Sequence, residues 1–154
     1  MPMAVSLLEQ RAIEAAVLGP VVRAFEQEVG QQRALEVLTR VNTEAAREYG
    51  RNLAKELGSA TIADLVKVSN SWNPDGEVEE ELIEQTEQTF HFNVTRCRYA
   101  EEYEKLGVRD LGTGISCCRD IGFIEGFNPK IKLVRTMTVM EGHKCCDFRY
   151  TLED

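Results

Sequence analysis

The sequence predicts an α+β fold, with N-terminal helices packed on an antiparallel sheet of about four strands. Three observations lead there. Apolar residues recur at helical spacing through residues 7–72. A strong turn signal, Asn73-Pro74-Asp75-Gly76, then interrupts the chain. Beyond it the apolar period changes to two. The 154 residues amount to about one domain. Residues 1–72 are expected as a helical layer and residues 77–154 as a mixed strand and helix layer that carries the functional residues.

The elements follow in order. Leu7, Leu8, Ile13, Ala16 and Val17 mark a first helix, and Val21, Val22 and Phe25 a second. The two are expected to meet near Gly19-Pro20, because proline fits the first turn of a helix and not its interior. Gly30 ends this pair. Leu35, Leu38, Val41, Ala45, Tyr49 and Leu53 form the stripe of a long helix that Gly58 stops, with Gly50 an awkward interior residue. A short helix capped by Ser59 or Thr61 follows.

After the turn, residues 77–97 hold two strands. In the second, Phe90, Phe92 and Val94 share one face, and His91, Asn93, Thr95 and Cys97 the other. "RYAEEYEKLG" is a short helix closed by Gly107, and "DLGTGISCCRD" a less regular helical stretch. "KIKLVRTMTVM" and "CCDFRYTLE" alternate as strands, joined through "EGHK" in a hairpin with Gly142 in the turn.

Net charge is -8. That disfavours nucleic acid and anionic membrane, since both require clustered Lys and Arg. A small anionic substrate stays compatible, because a single arginine binds a carboxylate. The opening segment lacks a basic region followed by a long apolar run, so a cytoplasmic protein with reduced thiols is expected. The apolar helix stripes leave room for a homo-oligomer.

Five cysteines carry the chemical interest, two pairs of them adjacent: Cys117-Cys118 and Cys145-Cys146. Geometry separates each pair. On a strand Cys146 joins Phe148, Tyr150 and Leu152, while Cys145 faces the other way. On a helix Cys117 shares a face with Asp120, and Cys118 does not. A free cysteine is equally a small buried hydrophobe. No familiar zinc motif is present, although Cys97, Cys117, Cys146 and His143 could converge in space, so zinc remains open and no cofactor is required. Arg135 lies between Leu133 and Met137, and an arginine among apolar residues calls for a carboxylate, from the protein or from a ligand. Arg119 and Asn128 are near the first cysteine pair and share this ambiguity.

"FNVTRCRYAEEYEKLG", "SCCRD", "IEGFNPKIKLVRTMTVMEG" and "CDFRYTLE", in this order, resemble the L-2-amino-thiazoline-4-carboxylic acid hydrolase family. Cys97, Cys117 with Asp120, Cys146 with Asp147, and Gly126, Asn128, Pro129, Arg135 and Gly142 fall on the family pattern. Relatives often carry histidine where this chain has Cys145, and here a histidine stands at 143 instead. The resemblance implies ring opening of a cyclic amidine, in which water adds at the carbon between nitrogen and sulfur and an N-carbamoyl-cysteine results. Asp120 or Asp147 could polarise water or protonate the amidine, or Cys117 could attack directly. Arg135 or Arg119 could hold the substrate carboxylate. The other reading is a cysteine-based protein that binds a metal or small molecule without catalysis.

Overall fold

The computed structural model describes residues 5–154, so the first four residues of the opening segment lie outside it. Helix α1, Leu7–Val29, starts at a capping box: the Glu9 amide donates to the Ser6 hydroxyl, and the Ser6 amide donates to the Glu9 carboxylate. The expected break at Gly19-Pro20 is absent, and one helix runs through. Pro20 has no N–H to donate, but its ring lies on the exposed side, where no other element is displaced. Ala15 and Val22, on either side of it, are buried in the same cluster. Packing across the proline overrides its local preference.

Gly30, at φ 87°, separates α1 from α2, Gln31–Leu57. Gly58, left-handed at φ 71°, stops α2, and its amide donates to the Ala54 carbonyl. The buried stripe of α2 is not the expected one. It runs Ala34, Leu38, Asn42, Ala46 and Gly50, while Val41 and Tyr49 are exposed. The cause is α5, Cys118–Phe127, which lies backbone to backbone on α2. A Cβ on Gly122 would run into the Thr43 carbonyl, and one on Gly126 into the Arg47 carbonyl. Side-chain smallness selects this face, not hydrophobicity.

Helix α3, Ile62–Ser71, has Thr61 as its cap, with Asp64 completing the box. The following turn is pinned by Asn73, whose side chain accepts from the Val78 amide and donates to the Val78 carbonyl, both at 3.0 Å.

Strands β1, Val78–Gln85, β2, Thr89–Cys97, β3, Ile131–Val134, and β4, Cys146–Leu152, form an antiparallel sheet in the order β1-β2-β4-β3. In the register, Phe90 faces Tyr150, Phe92 faces Phe148 and Val94 faces Cys146. These six side chains are the buried face, and with α2, α3 and α5 they close one core cluster. The outer edge strand β1 is rich in glutamates, which discourages pairing with another chain. Helix α4, Arg98–Lys105, follows β2 directly and packs into a second cluster with α1 and α2. Cys97 touches both clusters.

The expected long strand from Lys130 to Met140, and its hairpin through "EGHK", are not formed. Strand β3 ends at Val134, and residues 135–145 form an irregular loop. Asp147 explains the break. Its carboxylate accepts from the Thr136 amide at 2.8 Å, the Met137 amide at 2.7 Å and the Thr136 hydroxyl at 2.6 Å. A side chain thus takes amides that a continued ladder would have used. The turn at Gly142, φ 91°, survives within this loop. Between α4 and α5 the chain passes through a 3-10 turn, Arg109–Leu111, and a π-helical turn, Thr113–Cys117.

Candidate active site

A cavity of about 690 Å³ lies between the buried sheet face and the helices. Phe92, Val94, Phe148 and Tyr150 wall it from the sheet, and Phe123 and Trp72 from the helical side. Aromatic packing stiffens this wall, with the Phe92 and Phe148 rings stacked at 4.8 Å. Three thiols and a carboxylate line it as well. Cys117 and Asp120 come from the junction of the π turn with α5, Cys97 from the end of β2, and Cys146 from the start of β4.

Asp120 and Arg135 are the charged centre. Arg135 Nη1 donates to Asp120 Oδ2 at 2.6 Å, and Nη2 donates to the Cys117 carbonyl at 2.9 Å. The guanidinium also sits 5.0 Å from the centroid of the Phe148 ring. The arginine side chain is 8% exposed, whereas Asp120 keeps 32% of its surface accessible. Asp120 lines the cavity, and its Oδ1 has no hydrogen-bond partner among the described residues. Burial raises the Asp120 pKa, and the charge and hydrogen bond of Arg135 oppose that without cancelling it.

Burial also governs the thiols. It pushes Cys117 well above its ordinary value, with the Asp120 charge adding and Arg135 opposing. Cys97 is raised by burial against the opposing amides of Ala100 and Tyr99. Cys146 is pushed up to about 11 by burial, although its sulfur accepts from the Val139 amide at 3.2 Å. All three are therefore protonated near neutral pH. Among the described residues no group of three His, Cys, Asp or Glu side chains is placed to hold a metal ion.

The remaining expected residues divide by position. Arg119 lines the cavity, but its Nε donates to the Ile115 carbonyl at 2.9 Å and its Nη2 to Asn42 Oδ1 at 3.0 Å. Asn128 is set apart at the end of α5, where it donates to the Ala60 carbonyl and accepts from the Lys130 amide. Asp147 holds the loop after β3, as described, and does not line the cavity. His143 is exposed beside the Thr138 carbonyl and likewise does not line the cavity. Cys118 donates to the Gly114 carbonyl, while Cys145 is buried; neither lines the cavity.

The sequence reading missed Arg11. It lines the cavity from α1, its side chain is 18% exposed, and its Nη1 contacts both Glu14 carboxylate oxygens. Its Nε and Nη2 have no partner among the described residues.

A family model described as L-2-amino-thiazoline-4-carboxylic acid hydrolase matches residues 10–150, nearly the whole chain. The chain belongs to that family. The match takes in the blocks that carried the resemblance, from Phe92 onward, and reaches back through the helical layer, Arg11 included. A search of curated proteins returns no match. Among solved structures, the phenol-responsive sensory domain of the transcription activator PoxR, crystallised with phenol, is 14% identical. The alignment covers 90% of this chain and 74% of that one, at a TM-score of 0.56. At that identity the likeness is one of fold. A trafficking protein particle complex subunit 3 from Naegleria fowleri, covalently bound to palmitic acid, aligns over 92% of this chain and 96% of its own at 10% identity and a TM-score of 0.40.

Proposed function

We propose that this member of the L-2-amino-thiazoline-4-carboxylic acid hydrolase family opens a small cyclic amidine that bears a carboxylate. The observation that carries the reading is Asp120 on an aromatic cavity, its Oδ1 without a hydrogen-bond partner among the described residues while Arg135 fixes the other oxygen. A carboxylate held this way accepts hydrogen bonds from amidine N–H groups and stabilises positive charge on them. The carbon between nitrogen and sulfur then becomes a better electrophile for water. Water adds at that carbon, the carbon–sulfur bond breaks, and the sulfur leaves with a proton. The product is a carbamoylated amine with a free thiol.

The protonated state of Cys97, Cys117 and Cys146 favours water over a cysteine adduct, because only a thiolate is a strong nucleophile. Arg11 offers Nε and Nη2 to the substrate carboxylate, a role that Arg119 and Arg135 cannot easily take while engaged with protein acceptors. The five cysteines are free thiols, and a reducing compartment such as the cytoplasm suits them. No helix among the described residues is long and apolar enough to cross a membrane.

A second reading, binding without turnover, has the aromatic wall behind it. That wall suits a planar ligand, and the PoxR domain that shares the fold was crystallised with phenol. One experiment separates the two. Purified protein is incubated with L-2-amino-thiazoline-4-carboxylate, product formation is followed by NMR, and binding by calorimetry. The hydrolase reading expects turnover that Asp120→Asn lowers by roughly 10²-fold or more. It also expects Arg11→Ala to raise KM more than it lowers kcat. Saturable binding without turnover supports the second reading. Absence of both, for this and related rings, removes the first.

A further inference from the structure

Helix α1 is apolar on two sides. Its inner side buries Ala15, Gly19 and Val22. Its outer side exposes Ile13 (59%), Val17 (62%) and Val21 (60%), and continues through Phe25 and Val29. Beside this row runs a second exposed row, Ala16, Pro20 and Ala24, made of small residues. The helix's charges are turned off this face between residues 13 and 25. Arg11 pairs with Glu14, and Arg23 with Glu26 and Asp110. A helix that is hydrophobic all round is ordinarily buried all round. Here one side has no cover among the described residues.

We propose that the outer face of α1 is a homodimer interface, closed by the same face of a second copy. Three features favour a copy of this chain over other partners. The row of large residues at spacing four lies beside a row of small ones at the same spacing. That arrangement is a ridge next to a groove, and it is complementary to itself across a two-fold axis. The crossing angle would be near −50°, the value for ridges of spacing four on both helices.

Charge is the second feature. The chain carries -8, so two copies repel least where no charge is buried between them, and the face between Ile13 and Phe25 is such a patch. The third feature weighs against lipid. A helix lying on an anionic membrane needs a cationic flank, whereas Arg11 is turned into the cavity and Arg23 pairs with Asp110. The face spans about 18 Å at the helical rise and is smaller than the ~800 Å² per partner of a standard interface, so a micromolar dimer is expected.

Sedimentation velocity on the full chain, from low micromolar to a few hundred micromolar, is the test. The expected result is a concentration-dependent dimer. Val21→Glu should raise its dissociation constant by roughly 30-fold or more, since the dimer would bury two like charges. The position is already exposed, so the circular dichroism spectrum and melting curve should not change. Mixing Val21→Glu with Val21→Lys should restore dimer. A chain that stays monomeric throughout overturns the proposal, as does a dimer that persists in both Val17→Glu and Val21→Glu. Binding of the monomer to phosphatidylcholine vesicles, lost in Val21→Glu, would assign the face to lipid and overturn it equally.

Discussion

Arg135, the first residue after β3, reaches α5 and places Nη1 2.6 Å from Asp120 Oδ2. Its second hydrogen bond, to the Cys117 carbonyl, fixes the turn before that helix. One guanidinium therefore sets where the carboxylate of the cavity points. It also sets how that carboxylate titrates, since Arg135 is the main influence opposing burial.

The pH dependence follows from this pair. Asp120 acts as a carboxylate, so activity should rise as pH climbs through its raised pKa and vanish below it. Arg135→Met removes the opposing charge, and the acid limb should move to higher pH by on the order of one pH unit. A kcat/KM profile of both proteins between pH 4 and 9 measures it. A limb that stays in place would separate the titrating group from Asp120.

The cavity thiols should alkylate slowly at neutral pH. With Cys146 at about 11 against an ordinary 9.0, its thiolate fraction is about a hundredfold smaller than that of an unperturbed thiol. Iodoacetamide labelling of the folded protein, read residue by residue by mass spectrometry, should find Cys97, Cys117 and Cys146 protected and accelerating with pH. Rapid labelling of Cys117 near pH 7 would instead favour the thiol adduct.

Asp147 should matter for stability and not for turnover. Asp147→Ala leaves two amides and a hydroxyl of Thr136 and Met137 without their acceptor, and since Thr136 is exposed to water the cost in urea unfolding should be only ~1 kcal/mol. The kcat should be close to wild type. Burial acts to raise the Asp147 pKa, but its hydrogen bonds to Thr136 and Met137 prevail and lower it. Its contribution is therefore full above its unfolded value, about 3.9, and is lost as pH falls through the lower folded one.

Gly126→Ala should be among the most damaging single changes. The added methyl meets the Arg47 carbonyl, which belongs to helix backbone and cannot swing aside. Forced separation of α2 and α5 should cost ~1–3 kcal/mol or more. Because α5 carries Asp120, turnover should fall as well. Chemical denaturation and steady-state kinetics on the same preparation test both parts.

Much of the fold was legible because its signals are local. The Thr61 cap, the positive-φ Gly30, Gly58 and Gly107, and the alternation of Phe90, Phe92 and Val94 act within a few residues of themselves. The misread elements depend on partners distant in sequence. Pro20 passes through α1 because the helix is packed on both sides of it. The stripe of α2 moves because Gly50, Gly122 and Gly126 bring two backbones together. The strand after Val134 ends because Asp147, eleven residues after Thr136, takes its amides.

The site divides along the same line. Period and family pattern selected Cys97, Cys117, Asp120, Cys146 and Arg135, which the fold brings to one cavity, and also Asp147, Asn128 and His143, which it does not. The sequence by itself determined the helical and strand layers, the family, and the candidates Asp120, Asp147, Arg119 and Arg135, since each is written in residue type and spacing. Only the tertiary structure decided that Arg135 pairs with Asp120, that Arg11 enters the cavity, and that the thiols are held protonated. Those properties come from burial and from charges brought together across the fold, and neither exists until the chain has closed around the cavity.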